Sequence, residues 1–395
     1  MEQGKEPLSQ KCAHAVIAER IFDGERWHEQ AAILINGGRI HGVVTSAEIP
    51  ADWPQRRLPP DTFLAPGFID LQVNGGGGVL LNDNPSADAM RAIARAHRRF
   101  GTTSCLPTMI TDQRPRIQAA IAAAREAAGN DGVLGLHLEG PFISPDRPGI
   151  HHPDYIQRAS MEDLEWLAGL ADAGCSLVTL APECVPVGFI KALANLGVRV
   201  AAGHSEATTE QIAQAIEEGL TGVTHLYNAM PPMKGREPGI VGMALADPRL
   251  IASLIADGLH VDPIAGRAAF AAKGADGIAL VTDAMPTVGS SADQFQLMGR
   301  TITLHGQQLT SDNGTLAGAH LDMASAVRNA VELAGITLED GLRAASLTPA
   351  RFLGIDHERG MLKPRARADI VALTSRFDVV AIWVDGAFHS GGQPR

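Results

Sequence analysis

The stretch that decides the fold is residues 116–140, RIQAAIAAAREAAGNDGVLGLHLEG. Its first half places Ile117, Ala120, Ile121, Ala124 and Ala127 on one face at the three-to-four-residue spacing of an amphipathic helix. A Gly-Asn-Asp-Gly break follows, and then a short run apolar on both faces that ends in Glu139. A strand buried on both faces beside a helix is the signature of a parallel sheet covered by helices.

The same texture extends in both directions. Strand-like runs occur at 63–73 (FLAPGFIDLQV), 103–110, 132–140, 176–183, 198–205, 222–230, 251–261 and 277–285. Helical patterns lie between most of them, among them 88–100, 116–129, 161–174 and 208–220. Eight β/α units predict an α/β fold, a (β/α)8 TIM barrel over residues 63–362. The chain ends read differently. Short β-like pieces at 13–22 and 31–44, the second with an Asn36-Gly37-Gly38 turn, match others at 368–374 and 379–391. Residues 1–62 and 363–395 are therefore expected to form one smaller β-sandwich domain from both termini, with 1–11 a loose tail.

The 395 residues carry a formal charge of −11 and 45% hydrophobic side chains. No basic stripe is available for nucleic acid or an anionic membrane. No apolar run reaches the ~18 residues that span a bilayer, and the polar start lacks a signal-peptide core, so a cytoplasmic location is expected. The four cysteines form no Cys-x-x-Cys pair and read as reduced thiols. No phosphate-loop or dinucleotide fingerprint is present.

In such a barrel the chemistry sits where strands end. Those ends carry Asp70, Gln72 and Asn74; His137 and Glu139; His204 and Ser205; His225; Asp257 and His260; and Asp283. Polar groups closing apolar runs are costly unless paired or bound to metal. One carboxylate and two imidazoles, Glu139, His204 and His225, suit a divalent ion with open positions, and Asp283 suits acid–base work. Plainer readings stand beside these. Asp283 could cap a helix, Ser205 reads as a cap rather than a nucleophile, and His137, two residues before Glu139, reads as a deeper structural group.

Ala65-Pro66-Gly67-Phe68-Ile69-Asp70 resembles the amidohydrolase superfamily. The blocks LHLEGPFI, AGHSEA, THLYNAMPPMKGREPG, ADGLHVD, LVTDAM and NGTLAG resemble, in order and spacing, its N-acetylglucosamine-6-phosphate deacetylase family. That resemblance runs from about Ala65 to the C-terminus. It implies Glu139, His204 and His225 as metal ligands, Asp283 as general base and acid, and His151 at the scissile carbonyl, next to an exposed His152. It implies substrate contacts from Ile150, His151, Asn228, Ala229, Arg236, His260, Leu316, Ala317 and Gly318. In the family the arginine serves the neighbouring subunit of a homodimer. Where many amidohydrolases place His-x-His for a second metal, this chain has Gln72-x-Asn74, weaker ligands, so one metal per subunit is expected. Zinc is the first expectation, with iron, cobalt and manganese as alternatives. The implied reaction is deacetylation of N-acetylglucosamine 6-phosphate. The galactosamine epimer is an alternative substrate, and a non-catalytic assembly protein the remote alternative.

Overall fold

The computed structural model describes residues 13–391; the expected loose tail lies outside them. Eight strands run parallel in sequence order: β1 (Phe68–Val73), β2 (Thr102–Ile110), β3 (Gly135–Glu139), β4 (Cys175–Leu180), β5 (Arg199–Ala202), β6 (Gly222–Val223), β7 (Ile251–Ile255) and β8 (Ile278–Val281). The ring closes just past the ends of β8 and β1, where Asp283 N donates to Gln72 O at 3.0 Å and Gly75 N to Ala284 O at 2.9 Å. This is a (β/α)8 barrel.

The decisive stretch folds as its pattern dictates. The helix Arg114–Ala127 buries Ile117, Ala120, Ile121, Ala123, Ala124 and Ala127. In β3 the outward Leu136 and Leu138 join the core beneath the helices. By the two-residue period, His137 and Glu139 then face the barrel axis. Ile69, Leu71, Leu106, Leu177, Ala201, Ile255, Ala279 and Val281 belong to a separate cluster that fills the interior.

Three elements depart from the sequence pattern. The run 63–73 is two strands, because Thr62–Pro66 pairs in the terminal sheet while Phe68–Val73 opens the barrel. Gly67 is the corner: a Cβ there would stand 2.2 Å from the Thr103 side chain, so only glycine lets the two backbones approach. The pattern at 161–174 gives only one α-helical turn, Leu164–Leu167, flanked by tighter 3-10 turns. Its anchors Leu167 and Leu170 are three residues apart, the 3-10 repeat. After β8, where the run 294–309 reads as a hairpin, a third strand joins to make a meander, Gln294–Leu297, Arg300–His305 and Gln308–Ser311.

Strands from both termini share one hydrogen-bonded sheet, with Ile370–Thr374 joining the C-terminal part to Thr62–Pro66 and onward to His14–Phe22. Both faces of its central strands are buried. Ile370 and Ala372 pack into the terminal core, and the alternating Val371 and Leu373 pack onto the barrel. A buried ion pair locks this junction: the Arg359 guanidinium meets Asp369 and also donates to Ser104 Oγ of β2 at 3.0 Å. Arg359→Leu strands Asp369 without its partner, and denaturant unfolding should show a loss of about 3–5 kcal/mol. An unchanged midpoint and slope would rule out that role for the pair. Among the described residues no helix is long and apolar enough to cross a membrane.

Candidate active site

The carboxyl ends of the strands surround a cavity of about 400 Å³. Three predicted side chains converge on its floor. Glu139 Oε1 lies 2.8 Å from His225 Nε2 and 3.2 Å from His204 Nε2, and the two imidazole nitrogens are 3.1 Å apart. All three residues are at most 5% exposed. Their separations are slightly below the ~3.4 Å between ligands of a tetrahedral zinc-like ion with bonds of about 2.0–2.1 Å. The donor set fits such an ion: one hard oxygen and two borderline nitrogens, and among the described residues no lysine or arginine pairs with the carboxylate.

The surroundings prepare those donors. His204 Nδ1 can only donate to the carbonyl of Arg147, at 2.8 Å, which turns Nε2 toward the other two groups. Burial alone would raise Glu139. Hydrogen bonds and charge from His204 and His225 overcome it and hold the carboxyl well below its ordinary value. For His225 burial works downward, and the contact with Glu139 reverses it, lifting the imidazole above its usual value. A second grouping, Glu139, His151 and His204, also brings ligand atoms within 4.8 Å. The tighter contacts favour His225, and His151 already spends Nδ1 on Thr111 Oγ1 at 2.7 Å.

Asp283 stands above this floor, half-buried, lining the cavity and bound to no helix start. Gln72 Nε2 and Asn74 Nδ2 donate to its Oδ1 at 3.1 and 2.6 Å. The Gln-x-Asn pair at the end of β1 thus grips the carboxylate. Burial, and then the charge of Glu139, push Asp283 up to about 6. Behind it, Thr282 Oγ1 donates to Asp70 Oδ2 at 2.5 Å, tying β8 to β1.

Backbone strain marks the same places. His204, His225 and Asp283 have φ of 48°, 35° and 51°, a left-handed conformation that side chains normally avoid. Such strain persists where surrounding structure enforces it, most often in active sites. Here it turns each chain sharply at a strand end and aims the side chain across the barrel mouth.

Ile150, His151, Asn228, Ala229, His260, Leu316 and Gly318 also line the cavity. Ala317 does not; it is fully buried behind the loop, its N–H bonded to Leu309 O. Arg236 lies outside the cavity as well, exposed in the turn closed by the Lys234–Glu237 bridge. His137 is a buried structural group beneath the floor, bonded by Thr108 and Thr179. Ser205 is held by Glu183 and caps Ala207 N. Sequence reasoning missed Thr111 and the Arg147 carbonyl, and it placed Asp70 at a strand end without giving it a task. A hydroxyl and a backbone carbonyl carry no sequence signal until folding shows what they touch.

The amidohydrolase family model matches residues 63–388. The chain belongs to the amidohydrolase family. This amidohydrolase is 42% identical over 363 residues to an N-acetylgalactosamine-6-phosphate deacetylase of Shewanella sp. (strain ANA-3), covering 91% of each chain. It is 34% identical to an N-acetylglucosamine-6-phosphate deacetylase of Haemophilus influenzae, covering 90% of this chain and 93% of the relative. It superposes on the crystal structure of N-acetylglucosamine-6-phosphate deacetylase from Pasteurella multocida with a TM-score of 0.92, at 34% identity, over 96% of this chain and all of the other. The described residues, terminal sheet included, therefore have the architecture of such enzymes, and this amidohydrolase hydrolyses amide bonds.

Proposed function

We propose that this amidohydrolase removes the acetyl group of N-acetyl-D-glucosamine 6-phosphate, giving D-glucosamine 6-phosphate and acetate. The observation that carries the reading is the convergence of Glu139, His204 and His225 beneath Asp283, in a cavity of sugar size. A second reading, the galactosamine epimer, is favoured by the 42% identity to a deacetylase of that substrate. Acetate release from both 6-phosphates by purified protein, with kcat/KM compared, ranks the two. Absence of release from either would overturn the proposal.

Glu139, His204 and His225 would hold one divalent ion, zinc before iron, cobalt or manganese. Such an ion, when bound, polarises the acetyl carbonyl and acidifies water. Asp283 takes the proton of the attacking water. It then delivers that proton to the amine nitrogen as the C–N bond breaks, so the nitrogen leaves as a neutral amine. The 2.7 Å contact of Thr111 Oγ1 with His151 Nδ1 is far shorter than its 3.4 Å alternative to the Glu139 carbonyl. With the hydroxyl donating to Nδ1, the ring proton sits on Nε2, where it can stabilise the developing oxyanion. Burial keeps this imidazole neutral, down to about 3.

The sugar phosphate lies away from the reacting carbonyl and supplies binding energy that presses the amide into place. Within one subunit the cavity lacks Arg236, whose planar fork suits phosphate. We read the working unit as a cytoplasmic homodimer in which Arg236 serves the neighbouring site. The exposed Met233 beside that turn, 56% accessible, is consistent with a covered face. Arg236→Ala should raise KM for the phosphorylated sugar by about 10- to 100-fold, the scale of a lost hydrogen bond to a charged group, with a smaller change in kcat. An unchanged KM would remove Arg236 from the phosphate site.

A further inference from the structure

We infer that Asp257 is a positioning residue for the substrate's anionic end, acting only through His260. The inference rests on the proposed function, which places the sugar phosphate in this cavity. Both residues lie in the loop that leaves β7. Asp257 Oδ2 receives His260 Nδ1 at 2.6 Å, and Asp257 Oδ1 receives the backbone N–H groups of Leu259 and His260 at 2.9 and 2.8 Å. A carboxylate accepting three hydrogen bonds is held in its charged form. Burial pushes Asp257 upward, but the bond and charge of His260 outweigh it and keep the carboxyl below its ordinary value. Both side chains are only 8% exposed, so the pair meets in a weakly screened setting.

This arrangement does two things to the imidazole. It fixes a proton on Nδ1 and locks the ring to its own loop, so that His260, which lines the cavity, keeps Nε2 for the substrate. It also places an anion directly behind the ring, on the side away from the cavity. Asp257 itself lies behind the ring and does not line the cavity. Its effect on a ligand must therefore pass through His260.

The test is a double-mutant cycle of Asp257→Asn and His260→Asn. Steady-state acetate release is measured alongside calorimetric binding of D-glucosamine 6-phosphate. Asp257→Asn keeps the size of the side chain and loses its charge. It should weaken sugar-phosphate binding and raise KM by about tenfold or more, with the smaller part of the loss in kcat. In the His260→Asn background the same substitution should change neither KM nor the binding constant. Additive losses, the mark of a merely structural carboxylate, would overturn the inference, as would an unchanged affinity in the single variant. Binding that follows this pattern in a protein releasing no acetate would sustain the inference while sinking the deacetylase reading. Acetate release with additive losses would do the reverse.

Discussion

Asp283→Asn should lower kcat by about 10²–10⁴-fold, the contribution of a well-placed general acid–base, while leaving the metal content at one ion per chain. The two halves of this result have separate causes. The ligand triad forms without Asp283: its three contacts lie among Glu139, His204 and His225. The amides of Gln72 and Asn74 can still donate to the remaining oxygen of asparagine, so the geometry survives and only the proton acceptor is lost. The parent should also show a limb that the variant lacks. Burial and the charge of Glu139 hold Asp283 at about 6, and its charged form does the work. Activity should therefore fall as pH drops through about 6. The same shift predicts a stability effect of definite sign. A carboxyl raised on folding binds its proton more tightly in the native state, so its ionisation costs stability as pH rises from about 4 through 6. Asp283→Asn removes that cost, and the metal-free variant should melt no lower than the metal-free parent at pH 8. Near-normal turnover, or a variant that retains the acid limb, would reassign the base.

The barrel was legible because its signal is repeated. Eight apolar runs, six of them closing on the polar residues named above, are hard to satisfy with any other fold, and the two-residue alternation at His137 and Glu139 sets which side chains face the axis. The floor of the site was legible for the same reason: Glu139, His204 and His225 interrupt strands that have no other use for charge. What stayed hidden depends on contacts between distant segments. Nothing around Gly67 says that one apolar run divides between two sheets, because the reason is the Thr103 side chain 36 positions away. The helix expected over 161–174 broke into short turns although its composition is helical, since packing of Leu167 and Leu170 overrides local propensity. Gln72 and Asn74 stand where many amidohydrolases place histidines for a second metal. The amide donors they present to Asp283 give them a defined task that requires no second ion. Arg236 shows the converse limit: a residue assigned to the substrate by resemblance stands in solvent on the isolated subunit.

Glu139→Gln is the substitution that separates the metal site from everything built on it. The carboxylate is the only anion among the three converging groups, and it is what draws His225 upward. An amide of the same shape keeps the packing but offers a far weaker ligand, and it leaves two imidazole nitrogens 3.1 Å apart with nothing negative between them. Metal content by elemental analysis should fall well below one ion per chain, and turnover should drop by at least about 10³-fold, as expected when the charge-stabilising group of a site is removed. Asp283→Asn, by contrast, keeps its metal, so the pair of variants distinguishes loss of the ion from loss of the base. A further substitution decides which imidazoles bind. His151→Ala should retain the ion if His225 completes the set. It should lose the ion if the looser grouping of Glu139, His151 and His204 is the true one. Full occupancy in Glu139→Gln would overturn both groupings, since each depends on that carboxylate.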